Sequence, residues 1–137
     1  MQIKAGGIPF VKIKDKVHVC LFVSNNAEWG GPDPQLPKGG VDKGEKVIVA
    51  AMREAHEETG ISKFAITTSQ VTHLASDVFK GQLEQYELHV YAFEILTKSP
   101  VKKNDEGTGI WLELSDAEKK MRKDQLKYLK LLKEKAL

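Results

Sequence analysis

The sequence has 137 residues and a mass of 15.3 kDa; 41% of the residues are hydrophobic, 29% are charged, and the formal net charge is +2. This composition excludes a disordered or fibrous protein, and a chain of this length is expected to form one domain over residues 1–137. A single cysteine, no secretory-type N-terminus and no apolar run near the roughly 20 residues of a membrane span predict a cytoplasmic protein without membrane partners.

The first half of the chain predicts a hairpin, a long loop and one helix. Residues 10–14 and 17–23 are rich in apolar and β-branched side chains and are typical of two adjacent strands. Residues 24–44 are rich in Gly and Pro, which indicates a long shaped loop. Residues 46–59 have the Ala, Glu and Met content of a helix, and Gly60 is predicted to end it.

The second half predicts strands at 66–71, 72–79 and 86–96, and a short strand at 110–112 after a loop over residues 98–109. Ser115 to Glu118 match a capping box, which predicts a helix running to the C-terminus. Its predicted buried stripe comprises Met121, Tyr128, Leu129, Leu132 and Ala136. This order of elements predicts an α+β fold.

The net charge hides an uneven distribution. The middle of the chain is acidic: residues 39–61 and 62–97 each sum to −2, whereas residues 1–38 sum to +2 and residues 98–137 to +4. An acidic cluster within basic flanks suits a metal site for anionic substrates, although solvated surfaces give the same counts.

Three carboxylates lie close together on the predicted helix. Glu54, Glu57 and Glu58 are spaced i, i+3 and i+4 and therefore share one helical face. Arg53 is adjacent, but one arginine cannot neutralise three carboxylates. Hard oxygen ligands of this kind suit Mg²⁺ or Mn²⁺, and the alternative interpretation is a solvated acidic helix face.

The loop before the helix adds groups that suit phosphate chemistry. Gly39 leaves its backbone free to approach a ligand, and its carbonyl oxygen can bind a metal. Lys38 offers a positive charge for a phosphate. Together with the carboxylates, these residues suggest metal-assisted attack of water on a phosphoanhydride.

The spacing of the whole segment resembles the Nudix box. Gly39 is followed after five residues by Glu45 and, after seven more, by Arg53-Glu54-Ala55-His56-Glu57-Glu58-Thr59-Gly60-Ile61. Looser similarity extends over most of the chain. The resemblance implies an α/β/α sandwich with a mixed sheet between helices. It also implies Mg²⁺-dependent hydrolysis of a nucleoside diphosphate linked to another moiety.

The resemblance also implies roles for individual residues. Glu54, Glu57 and Glu58 should bind the metal, with the Gly39 carbonyl as a further ligand. Arg53 should orient these carboxylates through an ion pair, and Glu45 should anchor the loop or contact a second metal through water. The general base is left open between Glu54, Glu57 and Glu106 in the late loop.

The substrate is less sharply indicated. The sequence Pro37-Lys38-Gly39-Gly40 resembles the dinucleoside polyphosphate and diphosphoinositol polyphosphate branches and also RNA pyrophosphohydrolases. We expect an Ap4A-like dinucleoside polyphosphate, with (d)NTP clean-up or RNA 5′-pyrophosphohydrolysis as alternatives. A non-catalytic nucleotide- or RNA-binding module is the alternative from another class. Its usual mark is a broken box, whereas all three carboxylates are present here.

Three aromatic residues are candidates for binding the nucleotide. Trp29 in the long loop can stack on a base or pack the loop onto the body. Phe79 is the aromatic ring nearest to the region where dinucleoside polyphosphate members carry a Tyr, and Tyr86 lies later, so that signature is only partly met. The seven lysines between Lys119 and Lys135 predict the solvent face of the last helix, with a nucleic-acid patch as the alternative.

Overall fold

The computed structural model describes residues 1–80 and 85–137 and contains a six-stranded sheet with helices on both faces. The strands are β1 (Gln2–Ile13), β2 (Lys16–Ser24), β3 (Lys38–Gly40), β4 (Gln70–Lys80), β5 (Gln85–Glu94) and β6 (Gly107–Glu113). The helices are α1 (Val47–Thr59), α2 (Lys63–Thr67), α3 (Leu114–Lys120) and α4 (Leu126–Ala136), with 3₁₀ turns at Ala27–Trp29 and Lys123–Gln125.

The sheet is mixed. Its strand order is β4-β5-β1-β2-β6, and β3 pairs with β1 beside this path. The β1–β5 pairing is parallel, and the remaining pairings are antiparallel. The predicted α+β class and the mixed sheet between helices are therefore confirmed.

Each face of the sheet has its own hydrophobic core. On one face α1 packs with Ala50, Ala51 and Ala55 fully buried, and these small side chains let the helix lie close to the sheet. On the other face α4 buries Tyr128 and Leu132 against the sheet. The predicted stripe on the last helix is thus largely buried.

The helix that carries the acidic face ends where the sequence predicted. Gly60 follows α1 with φ = 80°, in the left-handed region, and its N–H donates to the carbonyl of His56. A Cβ at Gly60 would also collide with the backbone of Lys102. Glycine is therefore required both by conformation and by space.

Two predictions about strands were wrong. The strand predicted at 66–71 is instead α2 up to Thr67, because the Ser62 side chain accepts from Ala65 N and begins a helix that buries Ile66. The first strand begins at Gln2 rather than residue 10, because parallel pairing with β5 extends from Gln2 to Phe10.

The prediction of one continuous C-terminal helix was also wrong. α3 begins at Leu114 with no side-chain capping bond, so Ser115 lies inside the helix and the capping box does not form. The helix then breaks at Met121, where Arg122 N donates to the carbonyl of Pro34. The Gln125 side chain accepts from Leu36 N at 2.7 Å, so contacts with the long loop outweigh local helix propensity.

In residues 1–80 and 85–137, no helix combines the length and the apolarity needed to cross a membrane.

Candidate active site

Strand β3 places the glycine-rich loop beside α1. Its antiparallel pairing with β1 at Lys4 to Gly6 lays the loop backbone along the helix. The Glu58 carboxylate accepts from Lys38 N at 2.6 Å, and the Glu45 carboxylate accepts from Asp42 N at 3.0 Å. Both ends of the loop are therefore held by carboxylates of the acidic segment.

Arg53 is the centre of the polar network on this face. Its guanidinium forms a two-point pair with Glu45 at 2.9 and 3.0 Å and donates to Glu54 at 2.8 Å and to Glu57 at 3.3 Å. It also donates to the carbonyl of Gly40 at 2.9 Å. These hydrogen bonds raise the pKa of Arg53 further above its ordinary value. The arrangement holds the loop and two carboxylates of α1 in one unit.

Gly39 lies directly against one of the predicted metal ligands. A Cβ at this position would overlap the carboxylate of Glu54. Only glycine therefore allows the loop backbone to approach this carboxylate so closely. The position places the Gly39 peptide and the Glu54 carboxylate side by side.

The three predicted ligand carboxylates differ in their surroundings. Burial raises the pKa of Glu58 to about 8 and also raises the pKa of Glu54 above its ordinary value. Glu57 is more open, with 54% of its side chain exposed. The helix thus presents two partly desolvated carboxylates and one that is mostly exposed.

The donor set fits a hard divalent cation. It consists of carboxylate oxygens on α1, and the Gly39 backbone lies so close to Glu54 that no side chain would fit between them. Among residues 1–80 and 85–137, no three His, Cys, Asp or Glu side chains converge to hold a metal as they stand. The reason is that Glu54 and Glu57 turn towards Arg53, while Glu58 turns towards Lys38 N.

The late loop reaches the site through Asn104. The Asn104 amide donates to the carbonyl of Glu57 at 2.9 Å, and its oxygen accepts from the N–H groups of Glu106 and Gly107 at 2.8 and 2.9 Å. Glu106 shares a cleft with Glu58. Asn104 is therefore a positioning residue between α1 and the loop of Glu106.

We expect Asn104→Ala to lower the free energy of unfolding by about 1–2 kcal/mol, since three hydrogen bonds are lost. Urea denaturation would measure the change. Asn25→Ala is the matched control because Asn25 donates one exposed hydrogen bond to Asp105 O in the same loop. Equal losses in the two variants would contradict the positioning role.

A cleft of about 310 Å³ opens beside these residues. Lys38, Glu58 and Glu106 line it together with Trp29 and Arg122. Burial, and then the charge of Lys4, lower the pKa of Lys38. The cleft therefore combines acidic, basic and aromatic groups.

The aromatic candidates fall in two places. Trp29 is 63% exposed at the rim of the cleft. Phe79 and Tyr86 stack on each other with ring centroids 5.2 Å apart and line a neighbouring niche of about 50 Å³. The ammonium of Lys4 lies 4.3 Å from the Tyr86 ring, and that of Lys127 lies 5.3 Å from the Phe79 ring. Of the three rings, Trp29 therefore has the most accessible face.

Two residues of the site were missed by the sequence prediction. Asn104 lies in a loop with no motif, and Arg122 lies in a segment that was predicted to be helical. Arg122 lines both the cleft and the niche, and it donates to Gln35 at 3.2 Å and to Asp124 at 3.0 Å. Only the high basic content of residues 98–137 was a signal for it.

Comparison with known proteins gives a consistent result. The model of the NUDIX domain family matches residues 7–132. An RNA pyrophosphohydrolase of Rhizobium meliloti is 34% identical over 82 residues, which are 53% of this chain and 49% of that protein. An RNA pyrophosphohydrolase of Pelagibacter ubique is 42% identical over 55 residues, which are 40% of this chain and 32% of that protein. The chain spans about half or less of these curated relatives.

Solved structures match nearly the whole chain. A C. elegans Ap4A hydrolase in a binary complex has a TM-score of 0.77 at 21% identity and covers 98% of this chain and 96% of its own. The NUDIX domain of Shewanella oneidensis NrtR complexed with ADP ribose has a TM-score of 0.78 at 15% identity. That match covers 98% of this chain and 87% of the NrtR chain. At these identities the likeness shows the fold.

Proposed function

This chain belongs to the NUDIX family, and from that membership we propose that it is a divalent-metal-dependent pyrophosphohydrolase of a nucleotide polyphosphate. The observation that carries the proposal is the acidic face of α1, where a glycine-rich loop, one arginine and two partly buried carboxylates meet a cleft lined by Lys38 and Arg122. The complete set of carboxylates favours an enzyme over a binding module.

Each side chain has a proposed task. Glu54, Glu57 and Glu58, with the Gly39 carbonyl, would hold Mg²⁺, for which Mn²⁺ could substitute. Such a cation would neutralise charge that develops on the phosphates and lower the pKa of the attacking water. Arg53 donates to both Glu54 and the Gly40 carbonyl and so holds the carboxylate and the loop in fixed positions relative to each other.

Two carboxylates are the favoured candidates for the general base. Glu57 and Glu106 are exposed, whereas Glu54 is bound by Arg53 and lies against Gly39. A base must come within hydrogen-bond reach of the attacking water, directly or through one other water. We therefore place the base at Glu57 or Glu106. Lys38 and Arg122, which also line the cleft, would bind the phosphates of the substrate.

Two substrate classes remain in competition. A dinucleoside polyphosphate, in which Trp29 would stack on one base, agrees with Pro37-Lys38-Gly39-Gly40, although that segment resembles RNA pyrophosphohydrolases as well. The curated relatives favour the 5′ end of RNA. A mononucleoside triphosphate would bind to the same phosphate-binding residues.

A panel of Ap4A, NTPs, diphosphoinositol compounds and 5′-triphosphorylated RNA, assayed with Mg²⁺ and with Mn²⁺, tests the proposal. We expect cleavage of a phosphoanhydride bond in at least one of them, loss of turnover with EDTA, and recovery when Mg²⁺ is restored. Products formed in ¹⁸O-labelled water identify the phosphorus that is attacked. Full activity in EDTA would contradict the proposal.

A further inference from the structure

A basic groove extends from the cleft along the surface of α3 and α4. Two surface grooves, of about 690 and 570 Å³, share Glu118 and Leu126 in their walls and therefore adjoin each other. The first contains Arg122, which also lines the catalytic cleft. We call the combined surface the α3–α4 groove; its lysines are Lys119, Lys120, Lys123, Lys127, Lys130 and Lys133.

The charge of this groove is positive. Six lysines and Arg122 line it against four carboxylates, and two of these carboxylates are already paired: Glu118 with Lys133 at 3.3 Å and Asp124 with Arg122 at 3.0 Å. The other two carboxylates are Asp33 and Glu134. A strip of excess positive charge continuous with a phosphate site favours a polyanionic ligand.

Several of these lysines are not used by the fold. Lys127 pairs with Asp77 and Lys133 with Glu118. Within the described parts of the chain, the ammonium groups of the remaining lysines make no ion pair or hydrogen bond, and their side chains are exposed; these are Lys119, Lys120, Lys123 and Lys130. Their charges are therefore available to a ligand.

We propose that the α3–α4 groove binds the phosphate backbone of a single-stranded RNA whose 5′ end occupies the cleft. The inference rests on the proposed function and selects between its substrate classes. A dinucleoside polyphosphate carries its charge between its two nucleosides and has no further phosphates to place along α4. RNA continues past the cleft, and the 11 residues of α4 lengthen the groove by about 16 Å, which leaves room for more than one further phosphate of a single strand.

The test measures binding of product-like RNA, so it does not depend on turnover. Oligoribonucleotides of 2 and 10 nucleotides, with a 5′-monophosphate and a 3′ fluorophore, are titrated with the protein and followed by anisotropy at several salt concentrations. We expect the longer RNA to bind about tenfold tighter at low salt, because its additional phosphates reach the groove. Its affinity should also fall more steeply with salt, since each phosphate contact in a single strand adds about 0.7 to the salt slope.

The double variant Lys123→Gln/Lys130→Gln should lower the slope for the longer RNA by about 1.4 and remove most of its advantage over the shorter RNA. The matched control is Lys63→Gln/Lys98→Gln, which removes the same charge from exposed lysines away from the α3–α4 groove and should keep that advantage.

Three outcomes would overturn the proposal. These are equal affinity of the wild type for both lengths, equal losses in the control variant, and competition by polyglutamate as effective as that by RNA. Failure of the proposed function is separate: it would show as absence of phosphoanhydride cleavage in a protein that still binds the longer RNA more tightly.

Discussion

Glu57→Gln is expected to lower kcat by about a hundredfold to a thousandfold with Mg²⁺, the range seen when one electrostatic group is removed from an active site. Gln preserves the volume of the side chain but removes the negative charge that we propose for binding the metal or activating the water. Because Glu57 is 54% exposed and makes one long contact with Arg53, the free energy of unfolding should change by less than about 0.5 kcal/mol.

Steady-state kinetics at saturating metal, together with direct titration of Mn²⁺ binding, would measure this effect. Glu113→Gln is the matched control, since it removes the same charge from an exposed pair with Lys16 at the end of β6. Unchanged kcat and unchanged metal dependence in Glu57→Gln would refute a role of this carboxylate in catalysis or metal binding.

Arg53→Ala is expected to lower the free energy of unfolding by about 3 kcal/mol, because it removes the cation from carboxylates that are largely buried. The side chains of Glu45 and Glu54 are each only 14% exposed. The variant also frees the carbonyl of Gly40, so the loop should lose its register against α1. The urea concentration at the unfolding midpoint and the activity should therefore both be lower than in the wild type.

Arg53→Lys separates charge from geometry. Lysine keeps the positive charge but cannot form the two-point pair with Glu45 while also reaching Glu54 and Gly40. We expect it to restore part of the stability lost in Arg53→Ala and little of the activity. Arg122→Ala is a useful comparison, because it loses only a surface pair with Asp124 and one hydrogen bond to Gln35 and should cost about 1 kcal/mol. An Arg53→Ala protein as stable as Arg122→Ala would contradict the central role of Arg53.

Local patterns account for the predictions that were correct. The left-handed turn at Gly60 and the buried stripe of the last helix follow from rules that act over a few residues. The wrong predictions concern segments whose contacts with distant parts of the chain outweigh these local preferences. The capping box at Ser115 does not form, and the last helix breaks where Arg122 and Gln125 bind the long loop at Pro34 and Leu36.

The family resemblance and the oxygen-rich donor set could be predicted without a structure, since both depend on the linear spacing of residues 39–61. The surroundings of those donors depend instead on how the chain folds. The fold buries Glu58 in part, leaves Glu57 exposed, brings Glu106 into the cleft through Asn104, and places Lys4 and Lys127 over the Tyr86–Phe79 pair. These contacts join residues far apart along the chain, and such pairs leave no periodic signal in the sequence.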